Sequence, residues 1–179
     1  MNNSFEKDPR RIRELKGRPI ADIIYKKKWG NIIIKRFDKN DNFLLDKEYA
    51  IDVEITMPNG MKITGQEKFL SFNFANRNTL TVEFMQDFLK KEKGDWYKLT
   101  CQFYMCAYFN KEETNFIKYG IVNWLQLVLW TNESEDNEFA WDRPQKNTDG
   151  KARASFKPIN FKKIPSSFII DKFSIDLIK

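Results

Sequence analysis

There is no histidine anywhere in this 179-residue chain. Its absence excludes His-based catalytic triads, zincin motifs and HNH-type nucleases, all of which need an imidazole. The seven glycines are scattered singly, so no Gly-rich loop is available to cradle a phosphate. No run of eighteen apolar residues occurs, which predicts no transmembrane helix and no membrane partner. The opening residues, MNNSFEKDPRR, lack the apolar core of a signal peptide. Only two cysteines are present, Cys101 and Cys106, with no second pair to complete a zinc site. They are expected to be reduced and buried, in a cytoplasmic protein. Carboxylates and lysine must therefore carry any chemistry.

Aromatic residues are abundant, with sixteen Phe, six Tyr and five Trp. That composition predicts a packed core, and the length suits one domain over residues 1–179. The net charge of +6 is spread unevenly. Residues 1–30 hold nine basic and four acidic side chains, and residues 151–179 hold seven and two. Residues 131–142 hold five acids and no base. Basic ends around an acidic loop suggest an anionic partner such as DNA, with the loop 131–142 as a contact for a protein partner. The same charges also suit plain solvated faces.

The pattern predicts a mixed α/β domain. Residues 1–9 read as a mobile tail. Arg10–Lys16 reads as a short basic helix stopped by Gly17, with Pro19 opening a second helix. In that second helix Ile20, Ile23 and Ile24 form an apolar stripe, and Lys26, Lys27 and Lys28 sit at its C-terminal end before Gly30. Arg10, Arg11, Arg13 and these three lysines are the candidate phosphate contacts; the lysines serve equally as compensation for the helix dipole. Asn31–Phe37 reads as a strand, Asp38–Asn42 as a turn, and Phe43–Tyr49 leads into a hairpin. Thr79–Phe84 alternates as a further strand. Asp95 is expected to cap a long helix running to about Phe109, and Gly120–Trp130 is read as helix. Residues 131–150 read as an exposed loop, with Trp130 and Trp141 as candidate partner contacts. Phe156–Phe161 and Ser167–Ile170 read as short strands.

The hairpin at residues 51–69, IDVEITMPNGMKITGQEKF, is the most specific stretch. Pro58 presets the first turn position, Asn59 tolerates the second, and Gly60 takes the left-handed one. A three-residue loop sets Met57 opposite Met61 and Asp52 opposite Gln66. One face then carries Asp52, Glu54, Thr56, Lys62, Thr64, Gln66 and Lys68. The other is apolar except for Glu67. A two-residue loop slips the register and mixes both faces, so the clean partition selects the longer loop. An unpaired carboxylate among apolar neighbours is costly. Glu67 therefore either meets an Arg or Lys partner where a helix packs, or is turned toward Asp52 by a bulge near Gly65. The polar face itself is compatible with a solvated cross-strand charge ladder.

This order of elements, with Asp52 on the second strand and Gln66-Glu67-Lys68 on the third, resembles the PD-(D/E)xK nuclease superfamily. The resemblance covers about residues 10–110 and leaves 111–179 as a C-terminal extension. It implies a restriction endonuclease-like α/β fold: a helix, a three-stranded antiparallel meander, a helix and a further strand. It implies a metal-dependent nuclease acting on DNA, of the kind phages and other mobile elements encode. A non-catalytic nucleic-acid- or protein-binding module on the same fold is the alternative. Asp52 and a second carboxylate, Glu67 or Glu83, would hold Mg²⁺ or Mn²⁺, hard ions preferring oxygen ligands. Gln66 would supply an amide oxygen, and Lys68 would orient the attacking water. Glu14 matches the place where some members add an acid on the first helix. The sequence departs from the motif at Gln66, where an acid is usual.

Overall fold

A computed structural model describes residues 9–37, 49–87, 89–133, 143–146 and 152–174. The chain is a mixed α/β protein in three layers. A long helix, α1 (Pro9–Trp29), packs on one face of a six-stranded sheet, and a four-stranded antiparallel sheet packs on the other.

The helix is one element, where two were expected. Gly17 does not stop it: its missing side chain lets the helix settle onto β3. A Cβ there would lie 2.4 Å from the ring of Phe69. Pro19 lies inside the helix, and Ala21 and Tyr25 are its fully buried side chains.

The meander follows. Strand β1 (Ile33–Arg36) pairs antiparallel with β2 (Val53–Thr56), which pairs antiparallel with β3 (Lys62–Leu70). The register is Val53↔Gly65, Glu54↔Thr64, Ile55↔Ile63 and Thr56↔Lys62. Met57 and Met61 close the loop by a backbone hydrogen bond of 2.8 Å, and Gly60 has φ +82°. This is the three-residue loop that the alternation selects. It leaves Val53 and Ile55 fully buried toward α1.

After β3 the chain leaves the sheet. It forms a 3-10 turn (Phe72–Arg77), β4 (Thr79–Asp87), β5 (Glu92–Lys93) and a second 3-10 turn (Asp95–Tyr97). It returns as β6 (Phe103–Phe109), parallel to β3. The long helix expected from Asp95 to Phe109 is therefore a short turn followed by a strand. Every residue of β6 is buried, because β6 is flanked by β3 and β7 and covered on both faces. A strand of this kind shows no alternation of polar and apolar residues.

Strand β7 (Phe116–Asn123) pairs antiparallel with β6, and helix α2 (Trp124–Glu133) follows directly. The segment 120–130, expected as helix, is thus strand up to Asn123 and helix after it. The Asn123 side chain accepts the Gln126 N–H at 3.1 Å and so caps α2. Strand β8 (Arg143–Lys146) and β9 (Ala152–Asn160) join β4 and β5 in the order β5-β4-β9-β8. After a 3-10 turn at Ser166–Phe168, β10 (Ile169–Ser174) completes the large sheet in the order β1-β2-β3-β6-β7-β10. Residues past 110 therefore supply strands to both sheets.

Two apolar clusters hold the layers. Tyr25, Val53, Ile55, Phe69, Phe103, Met105 and Ile121 pack beneath α1. Leu80, Val82, Tyr104, Cys106, Tyr108, Trp124, Leu127 and Ile159 pack between the sheets and against α2. Cys101 and Cys106 are unbridged and buried, and burial pushes their thiols up to about 12 and about 11. Among the described residues no helix is long and apolar enough to cross a membrane.

Candidate functional site

The β2–β3 ladder ends at Val53↔Gly65, while β3 runs on to Leu70. From Gln66 onward β3 has β6 on one side and no pairing with β2 on the other. Asp52 stands where the ladder stops. Its backbone N–H donates to the Gly65 carbonyl at 3.0 Å, and its Oδ2 accepts the Glu67 N–H at 2.9 Å. A side-chain oxygen thus replaces the carbonyl that β2 would have offered. Gln66 lies on the same face, and its Oε1 is buried with no hydrogen-bond partner among the described residues. A buried amide oxygen without a donor is costly and suits a cation or an added donor.

Beside this open edge lies a cavity of about 640 Å³. The helix α1 contributes Arg10, Arg13 and Glu14 to it, β3 contributes Lys68, and β4 contributes Glu83 and Gln86. Arg77 comes from the end of the first 3-10 turn, and Phe156 from β9. Lys68 places its Nζ over the Phe156 ring at 5.6 Å. Burial pushes the Glu83 carboxyl up and Asp95 adds to the shift, against the pull of Lys68, Arg10 and Lys98. Two carboxylates thus lie within electrostatic reach of each other and of a lysine. Gly94 makes their approach possible, because a Cβ there would lie 2.7 Å from the Glu83 carbonyl. Asp95 and Asp52 both bear on the Tyr104 hydroxyl, which burial holds well above its ordinary range.

Glu67 is turned the other way. Its side chain, 3% exposed, receives the Tyr25 hydroxyl at 2.8 Å and an ion pair from Arg36. Arg36 also pairs with Asp22 on α1. Of the two arrangements open to Glu67, the structure adopts the packed one with an arginine partner, and β3 has no bulge at Gly65. Although Glu67 borders the cavity, its carboxylate is bound into this buried network. The carboxylate expected as a catalytic group or metal ligand is thus held on the α1 side of the sheet, away from the Asp52–Gln66 face.

The basic residues separate into two sets. Arg10 and Arg13 line the cavity, Arg13 also pairing with Glu113 at 3.6 Å. Arg11 pairs with Glu14 at 3.0 Å and is not in the lining. Lys26, Lys27 and Lys28 are exposed at the far end of α1, about 24 Å from Arg10 at the helical rise. They belong to a different surface. Glu54 pairs with Lys62 at 3.0 Å across the hairpin, so this part of the polar face is a charge ladder. Trp130 is half-buried against Phe168. Trp141 and residues 134–142 of the acidic loop lie outside the described residues, as do 1–8 and 38–48.

Asp95, Arg77 and Gln86 belong to this neighbourhood, where nothing in the sequence gives reason to expect them. Asp95 was legible only as a cap, Arg77 only as one of many basic residues. Their convergence depends on how the crossover folds between β3 and β6. Among the described residues, no three Asp, Glu or Cys side chains are close enough together to hold a metal ion. Comparison with protein-family models, curated proteins and solved structures gives no match.

Proposed function

We propose that this chain is a divalent-metal-dependent nuclease that hydrolyses DNA at the cleft beside Lys68. The observation that carries the reading is the open edge of β3. There Asp52 and Gln66 share the Lys68 face, Gln66 Oε1 is buried without a partner among the described residues, and the adjoining cavity is lined by Arg10, Arg13, Arg77 and Glu83. The connectivity supports the resemblance to the PD-(D/E)xK superfamily: a helix, an antiparallel meander, and a later strand parallel to β3. The departure is in the crossover, which carries β4 and β5 and two 3-10 turns in place of a helix.

The oxygen donors open to a hard cation at the edge of β3 are those of Asp52 and Gln66 on the hairpin; Glu83 of β4 lies in the lining of the cavity, to which neither of them contributes. Such an ion would offset phosphate charge and raise the acidity of water. The other roles belong to side chains. Lys68 supplies a positive charge where the scissile phosphate gains negative charge. Arg10, Arg13 and Arg77 hold flanking phosphates, which fixes the strand against the edge of β3. Glu83, with its carboxyl pushed up by burial and Asp95, can accept or return a proton nearer neutral pH than an exposed glutamate.

A non-catalytic nucleic-acid-binding module is the second reading. Glu67 is committed to Arg36, and no three acidic ligands converge among the described residues; both observations favour it. Titration of Mg²⁺ or Mn²⁺ into the protein with single-stranded, duplex and branched DNA separates the two. The nuclease reading expects cleavage that Asp52→Asn and Lys68→Ala each abolish. Absence of cleavage by the wild type with either ion rejects that reading. Cleavage that survives both substitutions rejects the assigned site.

A further inference from the structure

The cavity also bears on which form of DNA can enter. We infer that the cleft takes an unpaired strand and excludes an intact duplex, an inference that rests on the reading of the cleft as a nucleic-acid site. Its volume is about 640 Å³. That falls within the range of roughly 300–1,000 Å³ typical of pockets for a single small molecule.

The arrangement of charge points the same way. Arg10 and Arg13 stand on α1, Arg77 stands at the end of the 3-10 turn Phe72–Arg77, and Lys68 stands on β3, all four in the lining. Cations on separate elements around one cavity suit a chain threaded between them.

Aromatic rings line the same space. Phe74 carries the Arg77 guanidinium at 4.7 Å from its centroid, and Phe156 carries Lys68 Nζ at 5.6 Å. Aromatic rings and cations grouped in one lining bind a nucleotide without regard to sequence, the bases on ring faces and the phosphates on cations. In a duplex the bases are already stacked on one another and cannot use these faces. Three acids share the lining, of which Glu67 is bound to Tyr25 and Arg36. Glu14 is held by Arg11 at 3.0 Å, and Glu83 sits within the field of Lys68 and Arg10.

The test is fluorescence anisotropy in EDTA, which prevents cleavage. The probes are a labelled single strand of about ten nucleotides and the same sequence as a blunt duplex. The single strand is expected to bind at least about tenfold more tightly. Phe156→Ala and Arg77→Ala are each expected to weaken single-strand binding about fivefold or more, in line with the loss of one stacked base or one phosphate contact. Arg77 is exposed, so its replacement keeps the test intact if Phe156→Ala fails to fold. Duplex bound as tightly as the single strand overturns the inference and leaves the nucleic-acid reading standing. Single-strand binding unaffected by Arg77→Ala also overturns it. Failure to bind either probe overturns both.

Discussion

Replacing Glu67 with alanine removes one half of a buried ion pair and separates two roles that the hairpin sequence left entangled. The Glu67 side chain is 3% exposed and that of Arg36 is 14% exposed. Removing one partner of a buried pair costs about 3–5 kcal/mol, because the other charge remains where water cannot reach it. Arg36 keeps Asp22, which is about one-third exposed, so the low end applies. The Tyr25 hydroxyl loses its acceptor as well, which adds about 1 kcal/mol. The expected loss is therefore about 4 kcal/mol, a large share of the roughly 5–15 kcal/mol that stabilises a domain. In urea unfolding, with a slope of about 2 kcal/mol per molar, the midpoint should fall by about 2 M. The double variant Arg36→Met, Glu67→Met should recover most of the loss, since it leaves no uncompensated charge. Glu67→Gln keeps an acceptor for Tyr25 and should retain cleavage at temperatures where it is folded. A stability change below about 0.5 kcal/mol for Glu67→Ala, or a double variant no more stable than it, refutes the buried-pair account. Lost cleavage with unchanged stability would return Glu67 to the chemistry.

Three further outcomes follow from particular residues. The Glu83 carboxyl is raised in the folded state, so its share of stability is full below the ordinary glutamate value and is lost as pH rises through the folded value. Urea midpoints measured between about pH 4 and pH 7 should show that decline in the wild type and a flatter curve in Glu83→Gln. Gly17→Ala should destabilise by about 1–2 kcal/mol, because overpacking against Phe69 outweighs the gain in helix propensity, and Phe69→Leu on the same background should restore part of it. Gly60→Ala should cost about 1–2 kcal/mol, because its φ of +82° is strained for a residue with a Cβ. It should leave the unfolding slope unchanged.

The hairpin was legible because its information is local. Pro58, Asn59 and Gly60 specify the turn, and period-two alternation specifies which side chains share a face, so Asp52 opposite Gln66 followed without any distant partner. The rest depended on residues far apart in sequence. FYMCAYF reads as a helix face when taken alone, and only the covering of both sides of β6 explains why each of its seven residues is apolar and buried. Gly17 reads as a helix stop until Phe69 is known to lie beneath it. Glu67 could be recognised as needing a partner, but the partner, Arg36, is chosen by the meander and by α1 together. Asp95 came within electrostatic reach of Glu83 through Gly94 and the path of the crossover, which no spacing rule encodes.

The crossover has a consequence for the chain as it emerges from the ribosome. Strand β4 finds its partner β9 only after the 64 residues that separate Asp87 from Ala152 have been made. At about 5–20 residues per second that is a delay of roughly 3–13 s. Over this interval the side of β4 that β9 will cover presents unpaired N–H and C=O groups, between Leu80 and Val82 on one face and Thr79 and Thr81 on the other. Completion of the smaller sheet therefore comes late in synthesis, and the nascent chain carries a strand edge open to pairing with neighbours until then.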